Sequence, residues 1–135
     1  MQEKAKSPKR LKKYLSIKAE EASKLQRKLI KLLVKWQTGE LTEAGVRDSA
    51  ETLEERYYSG DYPESDLRSI LVEALFGLAN LEIQLFVKED IPEFLAFVSA
   101  HDGPEGAWKR WNDYSKSIDW PKRADKLKED PFYGL

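Results

Sequence analysis

The chain has 135 residues, of which 41% are hydrophobic and 35% charged, with no Cys, one His, and 23 Lys+Arg against 24 Asp+Glu. A chain of this length folds as one domain and buries about two thirds of its unfolded surface without disulfide support. Thiolate and imidazole sites for zinc, haem or iron–sulfur clusters cannot be assembled within it, cysteine catalysis is excluded, and a Ser-His-Asp triad would rest wholly on His101.

The near-neutral total conceals segregation. Residues 1–35 carry a net charge of +9, residues 36–106 carry −12, and residues 107–135 carry +2. Such separation implies either two faces that pair internally or electrostatic work with a charged partner. No secretory apolar run follows the basic Met1–Arg10 start, and apolar stretches such as Ala74–Ala79 fall far short of a membrane span. A cytoplasmic, soluble protein is expected.

From Leu11, steps of four and three pass through Leu15, Lys18, Ala22, Leu25, Leu29, Leu32 and Trp36, with Tyr14, Ile17, Ile30 and Leu33 widening the stripe. Ser7-Pro8 is a start signal and Thr38-Gly39 a stop, so a long helix is predicted near 8–37, with residues 1–8 as a basic arm. Its first turns (Lys9, Arg10, Lys12, Lys13) have the wrong sign for the helix dipole.

Thr42 caps a second helix, with Leu41 and Val46 as a hydrophobic staple and Val46, Ala50, Leu53 and Tyr57 as its inner face. The turn-rich connection 58–66 ends in Ser65 or Asp66 as the next cap. Leu67, Ile70, Leu71, Ala74, Leu75, Leu78 and Leu81 follow at helical spacing, flanked by Phe76, Ala79 and Ile83. Apolar residues on most of its girth predict that this third helix is central. Ile83, Leu85 and Val87 alternate without a partner strand and are read as helical or irregular.

Asp90-Ile91-Pro92-Glu93 resembles a compact helix start, with Asp90 as cap and Glu93 as its reciprocal partner. His101-Asp-Gly-Pro104 breaks that helix, and the next carries Trp108, Trp111, Tyr114 and Ile118. Asp119 caps a last short helix with Trp120, Ala124 and Leu127, which Asp130-Pro131 closes. The fold class is all-α: a single-domain bundle, 1–135, of five or six helices with a long N-terminal one.

Chemistry-bearing motifs are sparse. A His101-Asp102 pair lies in a turn without converging groups, and a diiron bundle needs two Glu-x-x-His motifs, hence two His. The stretch 61–66 lacks the register of an EF-hand, leaving only Mg²⁺ held by oxygen ligands alone as an open metal reading. No cofactor, metal site or catalytic residue is predicted, and the chain reads as a binder rather than an enzyme. Aromatics among bases in the last third (Trp108, Trp111, Tyr114, Trp120, Phe132, Tyr133) pack the bundle or, alternatively, stack single-stranded nucleic acid.

The acidic middle is more informative: nine carboxylates fall within residues 40–66, interleaved with Tyr57, Tyr58 and Tyr62. An ordinary solvated face is one reading. The sharper one is a docking surface for a basic protein, with Glu51, Glu54, Glu55, Tyr57, Tyr58, Asp61, Tyr62 and Glu64 as partner-binding residues.

Leu32-Leu33-Val34-Lys35-Trp36-Gln37-Thr38-Gly39-Glu40-Leu41-Thr42, Tyr62-Pro63, Ile70–Leu75 and Lys88–Leu95 resemble a group of small bacterial helical proteins similar to the immunity proteins of polymorphic or contact-dependent toxin systems. The resemblance spans roughly 29–98, about half the chain, and consists of capping and core signatures; the basic N-terminal extension lies outside it. It implies stoichiometric binding and inactivation of a cognate toxin in the cytoplasm. A nuclease toxin would suit an acidic protein, because nuclease active sites are basic. Two alternatives remain from the residues: nucleic-acid association through the +9 segment, and homodimerisation through the heptad stripe.

Overall fold

A computed structural model describes residues 17–57 and 60–134. Among them it is all-helical: α1 (Ala19–Gln37), α2 (Glu43–Arg56), α3 (Leu67–Ala79), α4 (Leu81–Gln84), a 3-10 turn (Lys88–Asp90), α5 (Ile91–Ser99), α6 (Pro104–Ser117) and α7 (Trp120–Leu127). The seven α-helices exceed the five or six expected. The extra one arises at Asn80, whose side-chain amide donates to the Phe76 carbonyl at 2.9 Å and whose backbone leaves helical geometry, splitting the predicted third helix before Leu81.

The predicted start near residue 8 lies outside the described residues. Within them α1 begins at Ala19, because Lys18 is extended and has no side-chain cap. Its inner face is the expected one: Ala22, Leu25, Leu29, Leu32, Leu33 and Trp36 are buried, so this part of the heptad stripe packs inside the monomer. Gly39 takes φ +83° and closes the helix as predicted. Trp36 is fully buried, and its indole N–H donates to Glu43 at 2.8 Å, tying the end of α1 to the first turn of α2.

Thr42 caps α2 by accepting from the Gly45 N–H at 3.2 Å, and Asp66, rather than Ser65, caps α3 by accepting from the Arg68 N–H at 2.9 Å. α3 is the central helix, packing against α1, α2, α4, α5 and α6. Gly77 on it is buried and lets the Phe86 ring approach closely, since a Cβ there would lie 3.0 Å from that ring. That ring opens an aromatic cluster: Phe86 meets Phe94 at 4.8 Å, Phe94 meets Trp111 at 4.6 Å, and Trp111 stacks on Phe97 at 4.8 Å. Trp108 packs edge-on against Phe97 and donates its indole N–H to Ser69 at 2.8 Å. The aromatic-basic set of the last third is thus largely occupied with packing α6 and α7 on the bundle.

Asp90 and Glu93 correct the expected capping pair. Asp90 has helical backbone and makes no cap to α5. It is 0% exposed, and both its oxygens are claimed elsewhere. Oδ2 accepts from the Val87 N–H at 2.8 Å and from Arg123 at 2.7 Å; Oδ1 accepts from Arg123 at 3.0 Å and from the Tyr114 hydroxyl. Glu93 instead pairs with Arg110 through two bonds of 2.9 Å, linking α5 to α6. Ile83 lies in α4, and Leu85 after it has left-handed backbone (φ +60°), so the 83–87 stretch is helical and then irregular, without a strand; the Leu85 carbonyl accepts from Arg123 at 3.1 Å. No helix among the described residues is long and apolar enough to cross a membrane.

Candidate protein-docking surface

At 100° per residue, Val46, Ala50, Leu53 and Tyr57 define the inner side of α2, and Asp48, Glu51 and Glu55 fall on the opposite side. The burial pattern agrees: Val46, Ala50 and Tyr57 are buried and Leu53 half-buried, while Asp48, Glu51 and Glu55 are exposed. Among the described residues the only ion-paired cation on this face is Arg47, which reaches Asp48 at 3.2 Å, Glu51 at 3.7 Å and Glu82 at 2.6 Å. The acidic run continues through Asp61 and Glu64, both exposed.

Glu54 sits at the edge of the acidic face, where α2 meets α3. Together with Tyr57, Val72, Glu73, Leu75, Phe76 and Asn80 it lines a groove of about 370 Å³. Phe76 is 47% exposed there, an unusual position for a phenyl ring on a central helix. Burial raises the pKa of Glu54, helped by the nearby Glu51 charge, and neighbouring apolar groups raise that of Glu73 although the residue is exposed. Neither carboxylate has an ion-pair partner among the described residues. The groove therefore combines apolar walls with two carboxylates, Glu54 half-buried and Glu73 exposed at its edge.

The remaining predicted residues divide. Tyr57 is only 4% exposed; Lys28 and Arg56 each lie 5.6 Å from its ring, which belongs mainly to the core. Tyr62 is half-buried: its hydroxyl oxygen accepts from the Ile17 N–H at 2.8 Å, and the Arg68 guanidinium lies 4.6 Å above the ring. Arg68 is held by Asp66 at 2.7 Å, which raises the Arg68 pKa and lowers that of Asp66. Tyr58 lies outside the described residues. The structure thus brings Glu51, Glu54 and Glu55 to one helix, with Glu54 and Tyr57 on the groove, and gives Tyr62 a bracing role in the connection.

Sequence reasoning missed the groove's far wall, Val72, Glu73 and Phe76. The signal was present: Glu73 interrupts an otherwise apolar segment, and a helix apolar on every side must expose something unless it is covered on every side. Among the described residues no group of three or more His, Cys, Asp or Glu is arranged to hold a metal. Comparison with protein-family models, curated proteins and solved structures finds no match to this chain.

Proposed function

We infer that this chain is a cytoplasmic protein-binding protein rather than an enzyme, and that the acidic face of α2 with the adjoining α2–α3 groove docks a basic partner. One observation carries this reading: among the described residues Asp48, Glu51, Glu54 and Glu55 share a single ion-paired cation, Arg47, beside an open groove that exposes Phe76. Complementary charge would speed encounter and fix orientation, and the groove would accept an apolar side chain of the partner. The resemblance to immunity proteins supplies the partner class: a toxin domain, with a nuclease the best fit to an acidic surface. Stoichiometric occlusion needs no catalytic group.

The gene next door tests this. A large secreted protein with a variable C-terminal domain is expected immediately upstream; that domain should arrest growth when expressed alone and not when co-expressed with this chain. Growth arrest unrelieved by co-expression overturns the immunity reading.

A further inference from the structure

The basic helix and the acidic helix are adjacent, yet they scarcely neutralise each other. On α1, Lys24, Lys28, Lys31 and Lys35 project within an arc of about 60° and extend over about 16 Å of helix. No acidic residue falls between Lys24 and Lys35 in the sequence. The neighbouring side of α2, at the same helical phase, carries Gly45, Ser49, Thr52 and Arg56, none of them acidic. Among the described residues the one ion pair made by an α1 cation is Lys35–Glu40, at 3.5 Å. Lys28 lies over the ring of Tyr57, just past the end of α2, at 5.6 Å.

Between these two sides lies a groove of about 410 Å³, lined by Lys28, Lys31, Leu32, Lys35, Leu41, Ser49, Thr52 and Leu53. Three leucines form its apolar part, lysines edge one side, and two hydroxyl-bearing residues edge the other. The α2 carboxylates point elsewhere, so nothing acidic on α2 lines it. This site is opposite in sign to the acidic docking surface and lies on the other flank of the same helix.

We propose that the α1–α2 groove is a second docking site, which receives an acidic amphipathic helix of a partner protein. Its apolar stripe would lie on the half-buried Leu41 and Leu53, over the buried Leu32 at the floor of the groove, and its carboxylates would meet Lys28, Lys31 and Lys35. A third helix packed into the groove between two others satisfies both the apolar part and the charged edge. A phosphate backbone would engage the lysines alone. It would leave Leu41 and Leu53 uncovered, and no ring lines the groove for base stacking, the Tyr57 ring beside Lys28 being buried.

The test uses the full chain and a labelled peptide of about 18 residues with Leu at i, i+3, i+4 and i+7 and Glu between them, read by fluorescence anisotropy at low and moderate salt. Saturable binding is expected, weakening with salt and falling at least tenfold in the double variant Lys28→Glu, Lys31→Glu. These side chains are exposed, so circular dichroism should show unchanged helicity. Ser49→Phe fills the groove without altering charge: it should block the peptide while sparing a purely electrostatic association. Failure of the peptide to bind overturns the proposal, as does binding that survives either variant. Single-stranded or duplex DNA that binds more tightly and displaces the peptide overturns it in favour of a nucleic-acid surface.

Discussion

The α2 region and the C-terminal third both contain carboxylates near aromatic rings, but they use them in opposite ways. Around Asp90 each carboxylate oxygen is met by Arg123, and by Tyr114 or the Val87 N–H besides, and the carboxylate itself has no solvent exposure. Around Glu51, Glu54 and Glu55 the charges are solvated or rest against apolar surface with few partners. A buried charge must be compensated to persist, so the first arrangement is structural. An uncompensated charge at the surface costs the fold little and stays available to another molecule.

The largest effect is expected where compensation is complete. Asp90→Ala leaves the Arg123 guanidinium, 17% exposed, without its partner and removes the acceptor of Tyr114; a loss of about 3–5 kcal/mol in urea unfolding is expected. Glu55→Ala on the exposed face should change stability by no more than about 0.5 kcal/mol. Equal losses in the two variants would erase the contrast. Replacing both partners together, Asp90→Leu with Arg123→Met, should recover much of what Asp90→Ala loses, because no buried charge is then stranded.

Charge reversal of the acidic face comes next. Glu51→Lys, Glu54→Lys and Glu55→Lys combined should lower the association rate with a basic partner by about 10- to 100-fold, flatten its salt dependence and leave the dissociation rate less affected. Stopped-flow kinetics at two ionic strengths gives the reading. Unchanged kinetics would remove the interface from this face.

Much of the architecture could be read from the residues because local signals and the global fold agree there. Thr42, Asp66 and Asp119 cap the helices they precede, Gly39 stops α1, and the apolar periodicity of 67–79 marks the central helix. Asp90 was misread because a cap and a buried ion pair share one residue type: the pattern Asp-x-Pro-Glu satisfies the local rule, while Arg123, 33 positions away, decides the outcome. The site was half legible for a similar reason. Acidic periodicity on α2 identifies an exposed face, but the groove exists only through the packing of α3 beside α2, and the sorting of α2's carboxylates away from α1 needs both helices in place.

The buried network should also respond to alkali. Burial and the hydrogen bond to Asp90 push the Tyr114 pKa up to about 12 from an ordinary value of 10. Because the folded value lies above the unfolded one, this contribution is full below about pH 10 and is lost as pH rises toward 12. Tyr114→Phe should be less stable than the parent at neutral pH and should lose less stability over that alkaline interval, as followed by chemical unfolding at each pH. Parallel pH profiles would place Tyr114 outside the network.

Glu73 gives the smallest effect, and it separates stability from function. Its pKa is raised by its apolar surroundings, so the folded protein holds the proton more readily than the unfolded chain. The favourable contribution is therefore present below the unfolded value and is lost as pH rises through the folded one; at neutral pH the ionised side chain opposes folding slightly. Glu73→Gln should accordingly stabilise the protein at pH 7, by no more than about 0.5 kcal/mol given the solvent access of this group, and the gain should vanish below pH 4. A basic partner bound in the groove would reverse the sign, because it stabilises the ionised form, so the same substitution should weaken the complex while strengthening the free protein. Thermal melts at the two pH values and titration with the partner read the two sides independently. A variant that gains stability without losing affinity would show that Glu73 faces the groove but not the partner, and would confine the docking surface to α2.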